Sequence, residues 1–182
     1  MAELATRPLT LTINGESVGP IEVPDDLMMI DFLHEYLGLT GSRLGCGQGI
    51  CRACVVILDH DDGTSEEMRI CITGAHFFNA KRIRTIEGHA SRDATGNVTA
   101  LTPVQQKFVD HFAFQCSYCA PGFVNAATVL VERLERDPVP RDRLEDAIDE
   151  ALGHHICRCT GYVRYYAAAR AAIDDLGLVR EG

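Results

Sequence analysis

Tryptophan is absent from the 182 residues, and no apolar run approaches the ~20 residues that a membrane helix needs. Positive charge is in short supply: 17 Lys and Arg against 26 Asp and Glu leave a formal net charge of −9. That balance excludes a nucleic-acid footprint, which would be basic. It favours solubility and says little else. Met1 to Pro8 has neither an apolar core segment nor a twin arginine, so no export signal is expected. The chain also lacks a G-x-G-x-x-G fingerprint and a Walker loop, and no nucleophile stands at a supporting distance from a base. Internal repeats and low-complexity segments are missing too. A nucleotide site and hydrolytic chemistry on this chain are therefore not expected.

What the chain has instead is cysteine. There are eight, in two groups of four: Cys46, Cys51, Cys54 and Cys71, then Cys116, Cys119, Cys157 and Cys159. With no secretory signal in view they read as metal ligands rather than disulfides. The stretch from Gly45 to Cys54 carries C-x4-C-x2-C in a loop with three glycines, and Cys71 follows alone. This is the spacing of plant-type [2Fe-2S] ferredoxins, in which iron takes thiolate ligands. A residue without Cβ lets backbone N–H groups approach the sulfurs. A disulfide knot or a zinc site is the alternative, but zinc sites usually pair their cysteines as two C-x2–4-C units.

The hydropathy pattern changes period along the chain. Leu9 to Ile13 alternates apolar and polar, Asn14-Gly15 signals a hairpin, and the return strand runs to Val23. Pro20 marks that strand as an edge or a bulge. Leu27, Ile30, Leu33 and Leu37 recur at helical spacing, with Gly38 or Gly41 as the stop. Ala53 to Leu58, Met68 to Ile72 (carrying Cys71) and Arg82 to Ile86 read as strands, giving a small mixed sheet that grips one helix. Gly88 to Ala100 is polar and reads as a linker. Thr102-Pro103-Val104-Gln105 then opens a helix with a capping box. Further helices are expected from Pro121 to about Leu134, around Leu144 to Leu152, and from Val163 to Leu176. Four helices with short joints suggest a bundle. The predicted class is α+β, with residues 8–88 as the first domain, 89–101 as linker and 102–178 as the second.

The second cysteine group adds specificity. Cys116-Ser117-Tyr118-Cys119 sits just before a helix, and Cys157-Arg158-Cys159 sits between two others. A lone C-x2-C is shared by zinc sites and redox dithiols. The two thiolates of C-x-C are too close in sequence to bridge each other. Together with Gln115, Pro121-Gly122-Phe123 and Thr160-Gly161-Tyr162, and downstream of the ferredoxin-type loop, these motifs resemble the iron–sulfur subunit of the molybdenum hydroxylases. That family includes xanthine dehydrogenase, aldehyde oxidoreductase and carbon monoxide dehydrogenase, and the resemblance covers about residues 8 to 176.

The resemblance implies a ferredoxin-like, β-grasp N-terminal domain with one [2Fe-2S] cluster and a four-helix domain with a second. All eight cysteines would be ligands, and Gln115 and Cys159 would touch the pterin side. It implies a molybdopterin-binding large subunit as partner, and an FAD-binding medium subunit or a cytochrome as acceptor. The chain would relay electrons and hold no substrate site. A cytoplasmic location is expected, with periplasmic export on a partner's signal as the alternative. Two rival readings are a free two-cluster ferredoxin and a zinc-binding interaction module.

The chain departs from the family's pattern in four ways. Arg52 and Ser117 stand where glycine is usual. The segment between Cys119 and Cys157 is longer by roughly six residues, near one turn on each of two helices. Tyr165-Tyr166 is unusually aromatic and is read as bundle core rather than partner surface. His154-His155 is read as surface or as support for the nearby ligands, and Asp59 to Asp62 and Glu66-Glu67 as solvated turn charges.

Overall fold

The computed structural model describes residues 5–180, so part of the N-terminal stretch read for an export signal lies outside it. The chain is α+β. Strands β1 (Thr6–Ile13) and β2 (Glu16–Pro24) form a hairpin around Asn14 and Gly15, with φ of 53° and 86°. These left-handed values match the twist of the flanking strands. Strands β3 (Val55–Asp59), β4 (Ser65–Arg69) and β5 (Arg82–Arg84) complete a five-stranded sheet in the order β2-β1-β5-β3-β4. β5 lies parallel to β1, and the other pairs are antiparallel. Pro20 is on an edge strand, where no ladder donor is required of it.

The expected helix after Pro24 is much shorter than its spacing suggested. α1 covers only Met29–Asp31 and widens into a π turn over Phe32–Tyr36. Met28 is instead held in a bridge to Gly74, which pulls the preceding residues out of the helix. The buried set is Met29, Ile30, Phe32 and Leu33, packed on Leu9, Leu11, Val56, Leu58 and Ile83. The strand expected to carry Cys71 also ends early, at Arg69, so Cys71 sits in the turn that follows. All of Val55–Leu58 is buried rather than alternating. β3 lies between β5 and β4, with α1 on one face and a long helix of the second half on the other.

Residues 89–101 are not featureless: β6 (Ser91–Arg92) and β7 (Val98–Ala100) pair as an exposed hairpin. Then come α2 (Pro103–Asp110), α3 (Ala120–Arg136), α4 (Leu144–Leu152) and α5 (Val163–Asp175). The capping box of α2 forms as expected: Thr102 Oγ1 accepts from the Gln105 amide at 3.2 Å, and Gln105 Oε1 accepts from the Thr102 amide at 3.1 Å. The helices share a core of Phe108, Phe123, Leu130, Leu134, Ile148 and Tyr165, with alanines of α5 closing against α2. Strands β8 (Val139–Pro140) and β9 (Val179–Arg180) pair in parallel, a contact that two residues of sequence could not announce.

Sheet and helices meet through polar groups. Arg84 donates to Asp59 at 2.7 Å and to Glu132 of α3 at 2.6 Å, and Ser65 also donates to Glu132. Asn125, fully buried, donates to the Val55 carbonyl at 2.7 Å, and its own oxygen faces His89 Nε2 at 2.7 Å. Asp59 is therefore an interface charge and not a solvated turn residue. The reason is its cross-strand register with Arg82 and its reach to Arg84, neither of which is visible in local sequence.

Candidate metal centres

The first cysteine loop has no regular structure from Ser42 to Cys54, and its backbone wraps a sulfur. Cys46 Sγ accepts N–H groups from Gln48 at 3.3 Å, Ile50 at 3.4 Å and Cys51 at 3.4 Å. The Cys51 amide, with help from the other two, lowers the Cys46 thiol to about 6, so it is ready to bind as thiolate. Burial raises Cys51, and it pushes Cys54 up to about 12. A metal would have to displace that proton, as thiolate ligation requires. The thiols approach in pairs: Cys46 contacts Cys51, and Cys54 contacts Cys71. Gly45 makes room for this. A Cβ there would lie 2.9 Å from Cys51 Sγ.

The second group pairs in the same manner. Cys116 and Cys159 are exposed, with their sulfurs 3.5 Å apart. Metal–sulfur bonds of about 2.3 Å put two thiolates on one tetrahedral metal roughly 3.7 Å apart, so this spacing suits a shared ion. Cys119 and Cys157 are buried and in contact. Burial pushes Cys119 up to about 11, even though the Tyr165 hydroxyl, 3.4 Å from its sulfur, works the other way. Burial also opposes the Cys157 thiolate. Here the Thr160 hydroxyl at 3.0 Å and amide at 3.4 Å win, and the thiol lies below its usual range.

A tetrahedral zinc ion needs four donors around one centre. Two pairs in each group fit a dinuclear cluster, in which each iron takes two thiolates.

Arg52 and Ser117 explain why glycine suits their positions. Their φ values are 59° and 63°, left-handed conformations that disfavour a Cβ. Arg52 uses its side chain: its guanidinium lies 3.5 Å from Glu67, which also sits 2.9 Å from His155 Nε2. Glu67 is therefore a half-buried link between the two cysteine loops and not a turn charge. His155 is buried while His154 is exposed, so the first of that pair lies on the surface and the second supports the ligand loop.

The two loops touch directly. Ile156 donates its amide to the Cys51 carbonyl at 3.1 Å, and the Tyr118 hydroxyl donates to the Leu44 carbonyl at 2.8 Å. A cavity of about 280 Å³ has Cys46 and Cys51 on one wall and Cys116, Cys119 and Cys157 on the other. Gly122, in the first turn of α3, rests on this junction. A Cβ there would lie 2.3 Å from the Arg52 carbonyl and 3.2 Å from His155 Nδ1. Gly122→Ala must part backbone from backbone, and it should cost about 1–3 kcal/mol in urea unfolding. An unchanged midpoint would show that the junction is looser than its geometry.

Gln115 is exposed beside Cys116, and Phe112, Phe114 and Tyr118 are exposed in the same segment. Tyr165 is fully buried, stacked on Phe123 at 4.0 Å and 5°, so the core reading of this tyrosine holds. Tyr166 is half-buried and donates to Asp149 at 2.7 Å. The contacts of Thr160 and Tyr165 with sulfur were not read from the sequence. The unusual aromatic pair was the one available signal.

Comparison with known proteins gives a consistent result. Residues 11–75 match the family described as 2Fe-2S iron-sulfur cluster binding domain, and residues 85–170 match the [2Fe-2S] binding domain family. The chain is 35% identical over 166 residues to the nicotinate dehydrogenase small FeS subunit of Eubacterium barkeri, covering 91% of this chain and 94% of that one. It is 35% identical over 149 residues to the nicotine 6-hydroxylase small subunit of Paenarthrobacter nicotinovorans, covering 82% and 79%. Among solved structures, quinoline 2-oxidoreductase from Pseudomonas putida 86 superposes with a TM-score of 0.75 at 30% identity, covering 96% of this chain and 99% of that one. With two [2Fe-2S] binding regions matched in order and nearly the full length shared, the chain belongs to the iron–sulfur subunits of the molybdenum hydroxylase-type oxidoreductases.

Proposed function

We propose that this chain relays electrons from a molybdopterin site on a large partner subunit to an FAD-binding medium subunit or a cytochrome. The ligands are Cys46, Cys51, Cys54 and Cys71 for the first [2Fe-2S] cluster and Cys116, Cys119, Cys157 and Cys159 for the second. The sulfur contacts support a division by iron: Cys46 with Cys51, Cys54 with Cys71, Cys116 with Cys159, and Cys119 with Cys157. Bound there, the clusters supply reversible one-electron chemistry. The ferredoxin-like, β-grasp domain is assigned to residues 8–88, the linker to 89–101 and the four-helix domain to 102–178. Two separate hydrophobic cores support this division, one in the sheet and one among the helices.

The observation that carries the relay is the shared cavity with its bridge from the Cys51 carbonyl to the Ile156 amide. It leaves the two ligand sets one hydrogen bond apart. The protein's part is to hold the sulfurs, screen them and keep the loops in register. The Gln48, Ile50 and Cys51 amides favour negative charge on Cys46, and Glu67 ties Arg52 to His155 across the junction. Gln115 and Cys159 are assigned to the pterin-facing side, and Phe112 and Phe114, exposed in the same segment as Gln115, offer apolar surface for a large subunit. No helix of the described residues is long and apolar enough to cross a membrane. The compartment is assigned as cytoplasmic, with the periplasm as the alternative if a partner carries the signal.

Affinity purification from the native host under mild conditions tests this. The relay reading expects a large molybdenum-bearing chain to co-purify, with about four irons and four labile sulfides per copy of this subunit. A stable iron-bearing monomer without that partner would favour the free ferredoxin. Zinc in place of iron would favour the interaction module.

A further inference from the structure

The second ligand set has one donor that its sequence motif does not require. Tyr165 is fully buried in α5, and its hydroxyl oxygen lies 3.4 Å from Cys119 Sγ. The ring cannot swing away. Phe123 stacks on it at 4.0 Å and Phe108 packs against it at 5.7 Å. We infer that Tyr165 is a positioning residue that sets the second cluster's reduction potential by donating its hydroxyl proton to the Cys119 sulfur. The inference rests on the proposed assignment of Cys119 as an iron ligand.

The direction of the hydrogen bond follows from that assignment. A ligating cysteine is a thiolate and has no proton to give, so the phenol is the donor. Reduction adds one electron and makes the cluster more negative. A hydrogen bond to sulfur stabilises the reduced form more than the oxidised form, which raises the potential. The effect is large where water is absent, because a low local dielectric strengthens the contact. Cys119 is buried, whereas Cys116 and Cys159 are exposed. Cys157 already has Thr160 as its hydrogen-bond partner. Tyr165 is therefore the side chain placed to act on the remaining buried sulfur.

Tyr165→Phe removes one oxygen and keeps the ring, its stack on Phe123 and nearly all of its volume. In the assembled complex, a redox titration followed by paramagnetic resonance should resolve both clusters. The second cluster's reduction equilibrium is expected to fall about tenfold, a shift of 59 mV to more negative potential for one electron. The first cluster should not move. If both signals are present and neither midpoint changes, the oxygen has no electronic role and the inference fails. If the second cluster is not retained in Tyr165→Phe, fluorotyrosine placed at position 165 decides. A more acidic phenol is a stronger donor, so the second midpoint should rise, and an unchanged midpoint overturns the inference. Failure of the underlying ligand assignment looks different: Cys119→Ser in the same complex would then leave the second signal intact.

Discussion

Cys116→Ser is expected to remove the second cluster and its two irons while leaving the first intact, and Cys51→Ser to do the reverse. Iron per chain should fall from about four to about two in each case, because a dinuclear cluster with a ligand missing is lost as a unit. The groups do not interleave: both pairs of the first lie before residue 72, and both pairs of the second after residue 115. Cys116 is exposed, so its replacement leaves the helical core of Phe123, Leu130 and Ile148 in place. Cys51 is half-buried, and its carbonyl holds the Ile156 amide, a backbone contact that serine can keep. Metal loss is coupled to folding, so each variant should melt earlier than the parent. Paramagnetic resonance beside metal analysis checks the result. A folded Cys116→Ser chain that lacked both signals would mean that the ligand groups are wrongly drawn.

The second large effect is expected from Arg84→Met. Arg84 joins Asp59 on the sheet to Glu132 on α3, and the three side chains are only 24–27% exposed. Without the guanidinium, two carboxylates face each other with no cation between them. Breaking a buried pair costs about 3–5 kcal/mol, and partial exposure brings the expected loss to roughly 2–3 kcal/mol at neutral pH. The pH dependence gives an independent sign. Burial raises Glu132, but hydrogen bonds from Arg84 and Ser65 outweigh it and hold the carboxyl below its ordinary value. A depressed carboxylate contributes its stability above the unfolded value of about 4.3 and loses it as pH falls through the folded one. In Arg84→Met only the Ser65 hydrogen bond and the weaker pull of His89 are left against burial, so protonation in acid costs the variant less than it costs the parent. Urea unfolding should show the largest gap near pH 7 and a smaller one near pH 4. A gap that is the same at both values would rule out an electrostatic origin.

The parts of the molecule legible in sequence were those fixed by local chemistry. The Asn14-Gly15 turn and the Thr102–Gln105 capping box each carry their cause within a few residues, and each is present. The starts of α3, α4 and α5 were close for the same reason. What escaped was set by distant partners. Leu27 and Leu37 have helical spacing, yet the bridge from Met28 to Gly74 and the π turn decide where the helix lies. Glu67 and Asp59 look like surface charges until His155 and Arg84 are brought to them. The Tyr165 hydroxyl meets Cys119 across 46 residues of chain, a contact no periodicity encodes.

The length of α3 can serve as a molecular ruler. Its 17 residues begin immediately after Cys119 and end at Arg136, a span of about 25 Å at 1.5 Å per residue. The exposed turn at Arg141–Arg143 lies beyond the far end. A nitroxide introduced there through an unnatural amino acid would avoid the cysteines and stand about one α3 length from Cys119, the proposed ligand of the second cluster. Its relaxation would report distance to that paramagnet in the working complex, one oxidation state at a time.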